Sequence, residues 1–215
     1  MANRTPRPIP AHPDVIIDAE RRAWSGRFPL DVVTFRNRRF DGALSAPHTW
    51  EVWRRGQAVA MLPYDPAADA VVLIEQFRLP ALVAGLDPVL VECPAGLLEE
   101  NEDPEAAMAR ELQEEMGLTA DRMERVGNYI LSAGGADEVC LLYAGRVDAP
   151  LADGAGLAGA FGLAAENEDI RVRVWPADKA IAAALAGRIT NVIAALALFW
   201  LASQRDRLRA EWRTT

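Results

Sequence analysis

The segment from Asp103 to Gly117 constrains the fold more than any other, because both ends of a helix are written into it. Asp103 fits the N-cap, and Pro104 suits the first helical position, where its missing N–H costs nothing. Glu105 places an anion in the first turn, and Gly117 is the expected residue just past the end. The pattern predicts a helix over 104–116. A charge conflict sits in its second half. Glu111, Glu114 and Glu115 lie at i, i+3 and i+4, so their carboxylates share one face, repel one another and oppose the helix dipole. Each penalty is only about 0.2–0.5 kcal/mol, but all have the same sign. A bound divalent cation would compensate them, and an all-oxygen ligand set favours Mg2+ or Mn2+ over zinc. Arg110, beside this face, is placed to hold one carboxylate in a bidentate contact. A bare E-x-x-E-E pattern also describes a solvated acidic face, so the flanking sequence has to decide.

Runs of β-type surround the helix. The first ~60 residues read as β-structure by alternation, with strands at 30–35, 50–53 and 58–62. Pro63-Tyr64-Asp65-Pro66 predicts a turn. Compact apolar runs at 71–77 and 89–93 read as buried strands, and further strands are expected at 128–131, 139–147 and 170–175. Two helices, 177–186 and 190–209, close the chain with Gly187 between them. The Ala/Gly-rich stretch 149–165 reads as a structureless connection leading to Glu166-Asn167-Glu168-Asp169, and long connections of that kind are often lids or binding loops. Strands and helices without regular βαβ alternation give an α/β (α+β) fold, a mixed sheet flanked by helices. The organisation expected is an N-terminal β segment over 1–57 and a catalytic domain over 58–215.

Charge and composition narrow the function. A formal net charge of -8 over 215 residues argues against a nucleic-acid surface, since phosphate backbones require clustered Lys and Arg. A net acidic enzyme still takes a phosphorylated ligand where a cation and a few arginines lie at the site. Cys93 and Cys140 lack C-x-x-C spacing and read as buried thiols, with a disulfide as the alternative. Residues 1–13 have no apolar core of the signal-peptide kind. The longest apolar stretch, 192–202, is about half of the ~20 residues a membrane span needs. A soluble cytoplasmic protein with no membrane partner is expected.

Gly96, five residues, Glu102, seven residues, Arg110-Glu111-Leu112, one residue, Glu114-Glu115, one residue and Gly117-Leu118 resemble the Nudix box at every defining position. The resemblance implies an α/β/α sandwich with a mixed sheet, preceded here by a small N-terminal β-sheet, in which the box forms a loop–helix–loop. It also implies that Glu111 and Glu115 ligate metal with Glu114 close by, and that Glu102 supports the loop and helix. Gly96 then permits a tight backbone and the carbonyl of Ala95 completes the coordination. Outside the box the chain resembles the ADP-ribose pyrophosphatase branch, which includes GDP-mannose hydrolases. The matching pieces are Arg39-Phe40-Asp41-Gly42, Arg55-Gly56, Glu75-Gln76-Phe77-Arg78, Glu92 to Gly96, Ser132 to Glu138, and Glu166 to Ile170.

That branch implies metal-dependent hydrolysis of ADP-ribose to AMP and ribose 5-phosphate. By the same resemblance Arg78 faces the pyrophosphate, while Glu51, Arg55, Ser132, Gly134 and Glu138 fall where the family touches substrate. Glu166 aligns with a general base, Glu168 with a further metal ligand, and Glu114 is the next candidate for the base. Three positions depart from the pattern. Ala133 stands where proline is usual, Trp50 stands in place of an arginine before Glu51, and Arg27-Phe28 replaces the aromatic pair that sandwiches adenine. Phe28 or Trp50 is placed to stack on a base, and Arg27 to stack or to pair with phosphate; each also reads as a core or interface residue. These departures keep GDP-mannose open as substrate. A non-catalytic nucleotide-sugar sensor is the reading from another class, and the survival of Glu111, Glu114 and Glu115 disfavours it. The resemblance further implies a homodimer in which the N-terminal segment packs across the interface. The apolar stretch 192–201, with Phe199 and Trp200, reads either as part of that contact or as a buried helix.

Overall fold

The computed structural model describes residues 6–163 and 168–213; Glu166, expected as the general base, lies outside them. The chain divides into two compact units, Met1–Gln57 with Ile130–Val139, and Ala58–Tyr129 with Cys140–Thr215.

In the first unit three strands, β1 (Val15–Trp24), β2 (Leu30–Asn37) and β3 (His48–Trp53), form an antiparallel sheet in the order β1-β2-β3. β1 is a strand that alternation does not reveal, because its side chains are exposed on both faces for most of its length. In β2 the period of two is plain, with Asp31 and Val33 buried in phase. A charge on a buried face needs partners, and Asp31 has them: Arg22, and Arg54 Nη1 at 2.9 Å. Arg54 in turn donates from Nε to Asp137 at 2.7 Å. Burial pushes the Asp31 carboxyl up, but the hydrogen bonds from Arg22 and Arg54 outweigh it and hold the group below its ordinary range. Arg54→Ala, which leaves a 1 %-exposed carboxylate short of one partner, should lower the unfolding free energy at pH 7 by about 3 kcal/mol. A depressed carboxyl contributes stability above its unfolded value and loses it as pH falls, so the gap from wild type should close below about pH 4. Equal urea midpoints at pH 7 would remove this ion pair from the stabilising interactions.

The second unit is built on an eight-stranded mixed sheet with helices packed against it, an α/β/α arrangement. Its strands are β4 (Gln57–Asp65), β5 (Ala70–Phe77), β6 (Val89–Glu92), β7 (Ala95–Leu97), β8 (Arg122–Ile130), β9 (Val139–Arg146), β10 (Leu157–Phe161) and β11 (Ile170–Pro176). The order is β10-β11-β5-β4-β9-β8, with β6 paired to β5 and β7 paired to β4. β4 and β5 are buried almost end to end, as their continuous apolar runs require. Among the described residues four helices complete the unit: α1 (Leu79–Val83), α2 (Pro104–Met116), α3 (Ala177–Leu185) and α4 (Val192–Trp212). α2 packs on β7 and β10, α3 on β11, β5 and α4, and α4 also on β6.

Two expectations change, and an alternative left open by the sequence is decided. The turn expected at Pro63–Pro66 falls at residues 66–69 instead, and β4 runs through Pro63 and Tyr64. Asp65 sets the turn from the strand end, its Oδ1 accepting from the N–H groups of Ala67 and Ala68 at 2.8 and 2.9 Å. The stretch 149–165 is not structureless, since β10 lies within it, antiparallel to β11. There Asp153 Oδ1 accepts from Ala155 and Leu157 at 2.8 and 2.9 Å and closes the preceding turn. The apolar stretch of α4 serves the interior: Ile193, Ala194, Ala197, Leu198 and Leu201 are buried, leaving Val192 and Phe199 exposed. Cys93 and Cys140 are both buried thiols. Among the described residues no helix is long and apolar enough to cross a membrane.

Candidate active site

α2 has the boundaries its sequence signals specify. Asp103 accepts from the Ala106 N–H at 2.9 Å, and Gly117 ends the helix at φ 66°. Its buried face carries Ala107, Met108, Leu112 and Met116, and Glu115 belongs to that same face. Glu115 is 4 % exposed and accepts from the Ala95 N–H at 3.0 Å. Burial pushes its carboxyl up to about 8; the Ala95 N–H and the Arg78 charge work against that rise, and the charges of Glu111 and Glu168 add to it. The Glu111 carboxyl is raised as well, first by burial against the pull of Arg110, then by Glu114 and Glu168. Gly96 lies on β7 opposite Val59, and a Cβ built there would stand 1.8 Å from Glu111 Oε1. The backbone of β7 and the Glu111 carboxylate are therefore in direct contact, and only glycine leaves that space.

Arg110 does not hold a single carboxylate in a bidentate contact, as expected of it. Its Nη1 donates to Glu111 at 2.8 Å and to Glu114 at 3.2 Å, and its Nη2 to Glu102 at 3.3 Å. Two acids of the helix and one of the loop before it surround one guanidinium, so its fork is shared among them. Glu102 also accepts from the Glu99 N–H at 2.9 Å, which ties the preceding loop to the helix. Arg78 is engaged rather than open, donating through Nε and Nη2 to the buried Glu92 at 3.1 and 2.8 Å. Glu168 accepts from the Leu163 N–H at 3.3 Å, and its charge is felt by Glu111, Glu115 and Arg78. These residues thus belong to one electrostatic cluster.

The donor chemistry fits a divalent cation. Glu111 and Glu115 are carboxylates whose burial and mutual charge disfavour ionisation, the conflict a cation resolves. Among the described residues no group of three or more acidic, histidine or cysteine side chains gathers closely enough to hold an ion alone.

A second cluster lies in the first unit. The Arg55 guanidinium sits 4.0 Å from the Phe28 ring centre and 4.7 Å from that of Trp53, with Arg27 at 5.4 Å from Phe28. Arg55 Nη2 donates to Glu138 at 2.9 Å, while its Nε is buried with no hydrogen-bond partner among the described residues. Two of the expected substrate residues are therefore partners of each other. Ser132 offers its carbonyl to the N–H groups of Gly135 and Ala136 at 3.0 and 2.9 Å, and a Cβ at Gly134 would meet only open space. Trp50 is half exposed, edge-on to Phe35 at 5.4 Å, and Glu51 beside it is exposed. Arg54, Asp31, Asp137 and Trp53 were not anticipated in these positions. For Asp31 a signal exists, since it falls in phase with Val33 on a strand that buries that face.

The NUDIX domain family matches the chain over residues 54–196. The chain is 40% identical over 199 residues to an ADP-ribose pyrophosphatase of Escherichia coli (strain K12), covering 93% of each. It is 35% identical over 203 residues to an ADP-ribose pyrophosphatase of Haemophilus influenzae, covering 93% of this chain and 91% of that one. A GDP-mannose pyrophosphatase of Yersinia pestis is 34% identical over 167 residues, 76% of this chain and 79% of its own. Among solved structures, one described as the crystal structure of ADP compounds hydrolase aligns with a TM-score of 0.65 at 18% identity. The alignment covers 96% of this chain and 100% of that one, a likeness of fold.

Proposed function

The chain belongs to the NUDIX domain family, and we propose that it is a metal-dependent pyrophosphohydrolase that cleaves ADP-ribose to AMP and ribose 5-phosphate. The observation that carries the reading is the pair Glu111 and Glu115, a half-buried and a buried carboxylate with raised affinity for protons, Glu111 set against the β7 backbone at Gly96. Relatives named ADP-ribose pyrophosphatase at 40% identity over 93% of the chain support the substrate.

In this reading Glu111, Glu115 and the Ala95 carbonyl would hold Mg2+ or Mn2+, with Glu168 as a further ligand. The cation, when bound, neutralises the pyrophosphate and polarises phosphorus toward attack. Arg110, paired at once with Glu102, Glu111 and Glu114, offsets part of their charge and so orients the helix face that carries the ligands. Arg78, oriented by Glu92, adds positive charge for the phosphates. Glu166 removes the proton from the attacking water, and Glu114 is the alternative base. Arg27, Phe28, Trp50, Glu51, Arg55, Ser132, Gly134 and Glu138 contact the nucleotide and sugar ends. A homodimer is part of the proposal, supported by the exposed apolar side chains Phe77, Leu79, Leu82, Val83 and Val89 around α1.

Incubation with ADP-ribose and Mg2+, with an EDTA control, tests the reading. The expected result is release of AMP and ribose 5-phosphate that EDTA abolishes and added Mg2+ restores. Turnover of GDP-mannose with none of ADP-ribose would transfer the reading to the alternative substrate, which the departures at Arg27, Trp50 and Ala133 keep open. No turnover of either would overturn it.

A further inference from the structure

We propose that Asp137 is a positioning residue for nucleotide-sugar binding, a carboxylate that locks the 132–138 loop onto the strand end carrying Arg55. This rests on the reading that Arg55 and Glu138 meet the substrate. Both oxygens of Asp137 are committed to that strand end. Oδ1 accepts from the N–H groups of Arg55 and Gly56 at 2.6 and 3.0 Å, and Oδ2 accepts from Arg54 Nε at 2.7 Å. The main chain runs alongside: the Asp137 N–H donates to the Trp53 carbonyl at 3.1 Å, and the Trp53 N–H donates to the Gly135 carbonyl at 2.8 Å. A charged acceptor for two consecutive amides fixes the turn at Gly56, where φ is 79°. It also fixes the residue after it, because Glu138 then reaches Arg55 Nη2 at 2.9 Å.

Arg55 depends on this arrangement. Its Nε has no hydrogen-bond partner among the described residues, so Glu138 and the stacking on Phe28 and Trp53 are what hold the guanidinium. Loss of Asp137 would loosen the backbone under Arg55 and the backbone before Glu138 in one step. Arg54 would keep Asp31 at 2.9 Å, so the buried cation would not be stranded and the unit would remain folded. The consequence falls on binding, since Asp137 itself is spent on Arg54, Arg55 and Gly56.

The test compares Asp137→Ala, Asp137→Asn and Arg55→Ala in steady-state hydrolysis of ADP-ribose with Mg2+, together with amide hydrogen exchange at Arg55 and Gly56. Asp137→Ala should raise KM about ten-fold with kcat within about two-fold, the pattern of lost ground-state binding. Asp137→Asn keeps an oxygen for the two amides and should raise KM only about three-fold. Exchange at Arg55 and Gly56 should quicken in the alanine variant. If that variant does not fold, the asparagine variant decides by the same split. A wild-type KM at position 137 alongside a raised KM in Arg55→Ala overturns the positioning role and leaves the substrate reading standing. A wild-type KM in Arg55→Ala overturns both, and a fall in kcat that matches the rise in KM overturns the positioning role.

Discussion

Glu115→Gln is expected to lower kcat/KM for ADP-ribose by about a thousand-fold or more while the protein stays folded. The side chain is 4 % exposed on the face of α2 that also buries Met108, Leu112 and Met116. Glutamine preserves its volume, and its amide oxygen still accepts from the Ala95 N–H that now lies 3.0 Å away. A neutral amide also avoids the desolvation penalty a carboxylate meets there, so the midpoint of thermal unfolding in EDTA should equal or exceed that of wild type. What the substitution removes is an anionic oxygen for the cation. The stabilisation that wild type gains from added Mg2+ should therefore shrink sharply, because ligand binding to the native state is the source of that gain. The two readouts separate the possibilities. Lost activity with a lost Mg2+ response supports the metal assignment, lost activity with an intact Mg2+ response moves Glu115 from ligand to base or substrate contact, and full activity at limiting Mg2+ would sink the assignment.

The helix that carries Glu115 was legible because its determinants are local. Asp103, Pro104 and Gly117 each act within one turn of the residues they bound, and the helix spans Pro104–Met116 as they specify. Charge crowding at Glu111, Glu114 and Glu115 was legible for the same reason. Elements without a local signature were not. β1 exposes Asp18, Glu20, Arg21 and Arg22 with no apolar alternation, and only its pairing with β2 makes it a strand. β10 is hidden by a run of alanine and glycine, and it forms because Asp153 closes the turn before it and β11 offers an edge. Arg110 illustrates a subtler limit. Its place beside the acidic face could be read from spacing, but Glu102 lies a loop away, and only the folded loop makes it a third claimant on the guanidinium. More remote again is the Arg54–Asp137 contact, between residues 83 positions apart. No spacing rule reaches that far. A tertiary ion pair shows in sequence only as a charge in phase with a buried face, the place Asp31 takes beside Val33 in β2.

Gly96→Ala is expected to reduce kcat/KM by about a hundred-fold or more at little expense to stability, and the reason is steric. The φ of Gly96 is not among the positive ones, so alanine meets no backbone penalty there. Its methyl group, however, would fall 1.8 Å from Glu111 Oε1, 2.0 Å from Cδ and 2.4 Å from Cγ. No pair of atoms tolerates those separations, and the side chain is the softer partner, because β7 is held in the sheet by its pairing with β4. Glu111 must swing away, breaking the 2.8 Å contact with Arg110. The unfolding free energy should fall by only about 1–2 kcal/mol, since a flexible side chain yields rather than the strand. The prediction has an internal control. In a Glu111→Ala background the methyl has nothing to strike, so adding Gly96→Ala should cost almost no further activity. Independent, additive losses would show that Gly96 acts on something other than Glu111. A fully active Gly96→Ala would show that Glu111 reaches its working position by a route that avoids β7. Strong coupling would instead establish that the glycine opening the motif and the first glutamate of the acidic face express one requirement, a carboxylate pressed against backbone.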